Sequence, residues 1–139
     1  MEIRIAGIQD TDKIMEWDKW ISEKVLLDKI ARKEVYIAHA KTEFVGWMRY
    51  HLFWDNIPFL SMLHLLPQYR DRGLGRLMME RWETDMKKLG YHRVLLSTSQ
   101  EERSQRFYNR LGYHAVGSFL LPEEPLELIF MKELEKSSM

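Results

Sequence analysis

Cysteine is missing from all 139 residues, which excludes disulfides, thiolate metal sites and a cysteine-linked acyl intermediate. Net charge is missing as well: 21 basic residues balance 21 acidic ones. No global field draws the chain to nucleic acid or to an anionic membrane surface, so neither is expected as a partner and any anion site has to be local. Long apolar runs are absent, since no stretch approaches the ~20 residues of a membrane span. The opening MEIRIAGIQDTDK places charges early and has no apolar run of the signal-peptide kind. A cytoplasmic protein without a membrane partner is therefore expected. The five histidines, His39, His51, His64, His92 and His114, form no HxH or HxxxH pair, so no metal is expected. Linkers, repeats and low-complexity segments are lacking too, and a mass of 16.8 kDa suits a single domain over residues 1–139.

What is present has mixed periodicity. EIRIA (2–6) alternates polar and apolar residues and reads as a short strand, after which Asp10 and Thr11 suit a helix start. Ile14, Trp17, Ile21, Val25, Leu26 and Ile30 continue at helical spacing, as two helices broken near Ser22. VYIAHA (35–40), FVGWMRYHLFW (44–54) and IPFLSMLHLL (57–66) are β-branched and aromatic, with the short polar connections KTE and DN, which predicts consecutive antiparallel strands closed by Pro67. From Leu74 the positions Leu77, Met78, Trp82, Met86 and Leu89 recur at helical steps, with Gly90 where a C-cap glycine belongs. HRVLLST (92–98) reads as a strand, SQRFYNRL (104–111) as a short helix stopped by Gly112, and YHAVGSFLL and LELIFMKEL as a strand pair around PEEP. The predicted order is β-α-α-β-β-β-α-β-α-β-β, a mixed α/β domain whose glycine loop precedes its longest helix.

That loop, QYRDRGLGRL (68–77), carries the strongest chemical signal. A helix N-terminus offers unpaired amides and partial positive charge, and glycines let its backbone approach a pyrophosphate closely. Two familiar phosphate loops do not fit. A Walker A loop needs Gly-Lys-Ser/Thr, and the dinucleotide fingerprint needs a third glycine where Met78 stands.

Arg70-x-x-Gly73-x-Gly75 resembles instead the acetyl-CoA loop of the GCN5-related N-acetyltransferase family, Gln/Arg-x-x-Gly-x-Gly/Ala. LLPQYRDRGLGRLMM matches the longer family pattern of apolar strand, proline, Tyr-Arg, glycine loop and helix. RFYNRLGY (106–113) is similar to the family's late motif of an aromatic or aliphatic residue, Tyr, a polar pair, Leu-Gly and an aromatic. The predicted element order agrees almost end to end, so the resemblance covers nearly the whole chain. It implies the acyl-CoA N-acyltransferase fold, with a mostly antiparallel central sheet that splays between the fourth and fifth strands.

The resemblance also implies roles. Backbone amides of Arg70, Asp71, Arg72, Gly73, Leu74, Gly75 and Arg76 would hold the CoA pyrophosphate, and main-chain groups of Leu63 and Leu65 the pantetheine arm. Tyr108 aligns with the tyrosine that protonates the departing CoA thiolate in many members. The family often has Asn and Ala seven and four residues before that tyrosine. Glu101 and Ser104 stand there in this chain, so Ser104 or Gln100 would supply a polar contact. The strand 57–66 has no carboxylate to act as base, which leaves Asp55, Ser61 and His64 as nearby polar candidates. Trp17, Trp20, Trp47, Tyr50 and Trp54 suit core packing or an aromatic-tolerant acceptor pocket, and Glu123 and Glu124 either a solvated turn or attraction of a cationic amine.

The implied activity is acetyl transfer from acetyl-CoA directly to a primary amine of a small molecule or peptide, with no metal and with homodimers common among relatives. The alternative is a CoA-binding sensor of the same fold without catalysis.

Overall fold

The computed structural model describes residues 1–134, and the last five residues of the expected domain lie outside the described residues. The elements come in the expected order: β1 Glu2–Ile5, α1 Thr11–Trp17, α2 Glu23–Ala31, β2 Val35–Ala40, β3 Glu43–Phe53, β4 Ile57–Leu65, α3 Leu74–Lys88, β5 Arg93–Ser99, α4 Glu102–Arg110, β6 His114–Phe119 and β7 Glu127–Glu133. Single 3₁₀ turns at Ile8–Asp10 and Pro67–Tyr69 lead into α1 and the glycine loop respectively. The seven strands form one sheet in the order β1-β2-β3-β4-β5-β7-β6. No helix among the described residues is long and apolar enough to cross a membrane.

The chain folds into two compact units, Met1–Tyr50 with Met62–Met79, and His51–Ser61 with the described residues from Glu80 onward. In the first unit, β1 and β2 pair antiparallel from Glu2↔His39 to Ile5↔Tyr36, and β2 pairs antiparallel with β3. Ala6, Ile14, Leu26, Ile30, Val35, Ile37 and Trp47 form its core. The α1–α2 break falls where the sequence places it. Ser22 caps α2, its hydroxyl accepting from Val25 N–H at 3.3 Å. Asp10, expected as a helix start, turns its carboxylate elsewhere: it takes both Arg4 guanidinium NH groups at 2.7 and 2.8 Å and the Gly7 amide at 2.8 Å. The Arg4 hydrogen bonds hold the Asp10 pKa below the usual carboxylate range.

In the second unit, β5 pairs antiparallel with β7 from Arg93↔Glu133 to Ser99↔Glu127, and β6 pairs with β7 around a bulge between Ala115 and Gly117. β4 pairs parallel with β5 through Phe59↔Leu95 and Leu60↔Leu96.

In α3, Met78, Met79, Trp82 and Met86 are fully buried, as a core seam requires, whereas Leu77 and Leu89 are exposed. A 3.6-residue period centred on Trp82 carries Leu77 off that face, and Leu89 lies just past the last helical residue. The end of α3 is a Schellman cap. Gly90 takes φ +96, its amide donates to Lys87 O at 3.0 Å, and Tyr91 N–H donates to Met86 O at 3.1 Å.

Candidate active site

The first unit contains the glycine loop and the end of β4. Gly73 takes φ +78, a conformation open to glycine at little cost, and a Cβ there would meet nothing within 4 Å. Backbone freedom rather than crowding therefore selects glycine at this point. The first α3 hydrogen bond in the chain runs from Leu77 N–H to Gly73 O at 3.3 Å. The amides of Leu74 and Gly75 accordingly lie in the first turn, where no helical carbonyl precedes them, and they meet the positive end of a 15-residue helix. Asp71 is also left-handed, at φ +62, so the chain reverses sharply before the helix. A turn of this kind presents successive amides to one side, which suits an anion.

Not every predicted loop group is turned to that use. The Arg70 amide closes the 3₁₀ turn by donating to Pro67 O at 3.3 Å. Its side chain reaches back to β4, with Nε donating to Leu65 O at 2.9 Å and one NH2 group 3.2 Å from His64 Nε2. Arg72 lies over the Tyr69 ring, 5.8 Å from its centroid. The Tyr69 hydroxyl donates to Glu43 at the start of β3, and this hydrogen bond raises the tyrosine pKa. The approach to the loop is thus tied to β3 through Tyr69 and to β4 through Arg70.

Below β4 the fit is close. A Cβ on Gly46 would lie 2.3 Å from the His64 carbonyl oxygen, so β3 requires glycine there. The His64 ring packs on Trp47 with centroids 4.8 Å apart. Leu63 and Leu65 flank it on β4, half-buried.

The second unit contains Tyr108 and Ser104, both half-buried on α4. The Leu-Gly-aromatic part of the late motif explains how Tyr108 is held. Gly112, at φ +97, donates to Asn109 O at 3.1 Å, and Tyr113 N–H donates to Tyr108 O at 3.0 Å, completing another Schellman cap. The Tyr108 ring sits edge-on to Phe107, Tyr113 and Phe130, with centroids 4.9, 5.9 and 6.4 Å away. Tyr113 is anchored in turn, its hydroxyl donating to Glu83 at 2.8 Å, while Lys132 meets the other Glu83 oxygen at 2.7 Å. Burial pushes the Tyr108 phenol up to about 12 and, aided by Glu83, raises Tyr113 further still. Tyr108 therefore remains a protonated donor throughout the neutral range.

The polar candidates for a base lie apart from one another in role. Asp55 is exposed in the β3–β4 turn at φ +63. Ser61 Oγ pairs with His51 Nδ1 at 2.8 Å, and His64 presents Nε2 to Arg70. Of the aromatic set, Trp47 and Tyr50 are core residues, whereas Trp17, Trp20 and Trp54 are exposed. Among the described residues no group of three or more His, Cys, Asp or Glu is placed to hold a metal ion.

Sequence reasoning missed Asp18, which is 1% exposed. Its carboxylate accepts from Trp47 Nε1 at 3.0 Å and from Arg49 Nε at 2.9 Å, and it caps its own turn through Trp20 N–H at 3.1 Å. The signal was Arg49 itself: a guanidinium inside the apolar run VGWMRYHLF demands a buried acceptor.

Comparison with known proteins bears on the family and the fold. Residues 5–113 match the family model described as the acetyltransferase (GNAT) family. An uncharacterised N-acetyltransferase of Chlorobaculum tepidum is 22% identical over 92 residues, 66% of this chain, and the matched stretch spans 57% of that relative's length. Among solved structures, the PaiA N-acetyltransferase of Thermoplasma acidophilum in complex with coenzyme A superimposes with TM-score 0.80 at 22% identity, covering 95% of this chain and 98% of that one. Naa20 of Chaetomium thermophilum in complex with a bisubstrate analogue does so with TM-score 0.81 at 14% identity, covering 96% and 87%.

Proposed function

We propose that this chain, which belongs to the acetyltransferase (GNAT) family, acts as one acetyltransferase domain that moves an acetyl group from acetyl-CoA directly to a primary amine of a small-molecule or peptide acceptor, in the cytoplasm. The observation that carries this reading is the loop into α3, with left-handed Gly73 and the Leu74 and Gly75 amides at the helix mouth. The coenzyme A complex of PaiA and the bisubstrate complex of Naa20 support acetyl-CoA as the cosubstrate and an amine as the acceptor.

In this reading the backbone of Asp71–Arg76 binds the pyrophosphate, and Leu63 and Leu65 hold the pantetheine arm through main-chain groups. Ser104 adds a polar contact to the same arm. The acceptor nitrogen attacks the thioester carbonyl, a C–N bond forms, the C–S bond breaks, and the nitrogen proton passes to water. With no cysteine to carry the acyl group, attack is direct and both substrates are bound together. Tyr108 donates to the departing sulfur. Its pKa of about 12 lies above the ~8.5 of a free thiol, so it stabilises the thiolate as a hydrogen-bond donor, and net protonation comes from solvent.

Calorimetric titration with acetyl-CoA, followed by an amine panel read by release of free CoA thiol, tests the proposal. No binding would overturn it. The second reading is a CoA-binding module without catalysis, favoured by the commitment of His64 Nε2 to Arg70. Steady thiol release with any amine excludes that alternative.

A further inference from the structure

Arg70 makes two contacts with β4. Its Nε donates to Leu65 O at 2.9 Å and its NH2 group lies 3.2 Å from His64 Nε2. A guanidinium has donors only, so His64 Nε2 must accept, and the neutral ring carries its proton on Nδ1. The surroundings favour that state. Partial burial lowers the His64 pKa, Arg70 lowers it further, and Asp18 opposes both. The charged groups facing the ring are Arg70 from the loop and Asp18 from the α1–α2 connection, the latter paired with Arg49 of β3. Trp47 of β3 covers one face of the ring, and Gly46 lets β3 close on the His64 carbonyl.

We propose that Arg70 and His64 form a positioning pair that fastens the entrance of the glycine loop to β4, so that the loop grips acetyl-CoA fully only while His64 Nε2 is unprotonated. The proposal rests on the reading of the loop as an acetyl-CoA cradle and adds a control point to it. Protonation of His64 removes the acceptor and leaves two cations face to face. Arg70 then withdraws, its bond to Leu65 O is lost with it, and the amides of the loop beyond it lose their fixed register. Arg70 acts here through geometry rather than charge, which separates it from a direct phosphate ligand. A point-charge ammonium cannot reproduce a fork aimed at a carbonyl and an imidazole together.

Arg70→Lys and Arg70→Met, with folding checked by thermal melting, are titrated with acetyl-CoA in the calorimeter. Both are expected to bind about tenfold more weakly than the wild-type protein, with the loss on KM for acetyl-CoA rather than on kcat. Lowering the pH from about 8 to about 5.5, across the ~6.5 of an ordinary histidine, is expected to weaken wild-type binding several-fold more than it weakens His64→Gln, whose amide oxygen accepts without titrating. Comparison with His64→Gln cancels the titration of the cofactor's own phosphate. Arg70→Lys binding like the wild type, or the same pH response in the wild type and His64→Gln, overturns the positioning pair while the cradle stands. No acetyl-CoA binding by the wild-type protein overturns both.

Discussion

The glycine loop of the first unit and the α4 cap of the second both depend on a left-handed glycine, yet they use it differently. At Gly73, φ +78, a Cβ would meet open space, and the next residues along the chain offer main-chain amides at a helix mouth. At Gly112, φ +97, a Cβ would lie 3.3 Å from Lys132 Cε, and the glycine serves to hold the side chain of Tyr108 through the cap it completes. In the proposed function the first region binds through backbone amides, with the Arg70 side chain fastening the entrance of the loop to β4. The second delivers the Tyr108 hydroxyl and surrounds its ring with packing. Change in the first should therefore appear in affinity, and change in the second in turnover and stability.

The largest expected break in this comparison is Tyr108→Phe. Removing the hydrogen-bond donor should lower kcat by ~10²-fold, within the range for loss of one donor to a developing anion, while calorimetry finds acetyl-CoA affinity nearly intact. Equal turnover by the two proteins would remove Tyr108 from the mechanism. Next comes Gly73→Ala, which imposes about 1–2 kcal/mol of left-handed strain and should weaken acetyl-CoA binding by ~tenfold. If its titration curve matches the wild type, the loop does not bind through this conformation.

Gly112→Ala carries a similar strain of about 1–2 kcal/mol but at the cap, and should lower Tm by ~4 °C. Its kcat should fall more than its acetyl-CoA affinity, and the reverse order would show that the two regions are not distinct in function. In the neutral range the smallest effect is that of pH. The Tyr108 phenol is raised to about 12 in the folded protein against ~10 unfolded. Between those values the folded state holds a proton that the unfolded chain has lost, so stability falls as pH rises through that window. Below it, no loss of rate through Tyr108 ionisation is expected. A pH–rate profile and melting in alkaline buffer read the two together, and Tyr108→Phe should flatten the Tyr108 share of the stability loss.

Much of this was legible before folding because the signals are local. Gly73, Gly90 and Gly112 mark turns that a side chain would strain, and their left-handed angles are set by neighbours within a few residues. The stripe of Met78, Trp82 and Met86 is likewise a one-helix property, and all three are buried. Tyr108 could be located by its motif, though not its edge-on contacts with Tyr113 and Phe130. The direction of Arg70 was hidden. An arginine beside a glycine loop has the same local pattern whether it points at a phosphate or back at a strand, and it is the carbonyl of Leu65 that decides.

By itself, then, the sequence determined the order of elements, the glycine turns and the family to which the chain belongs. Periodicity, capping and turn chemistry act over a few residues and leave their mark in composition. Only the tertiary structure decided which charges are buried and what they hold. Asp18 reaches Arg49 across 31 positions, and Lys132 reaches Glu83 across 49. In the linear chain Asp18, Glu83 and Lys132 look like solvated surface charges, and Arg49 shows only that it needs a partner, not which one. Removal from water forces each to find a partner, and the fold determines which one lies within reach.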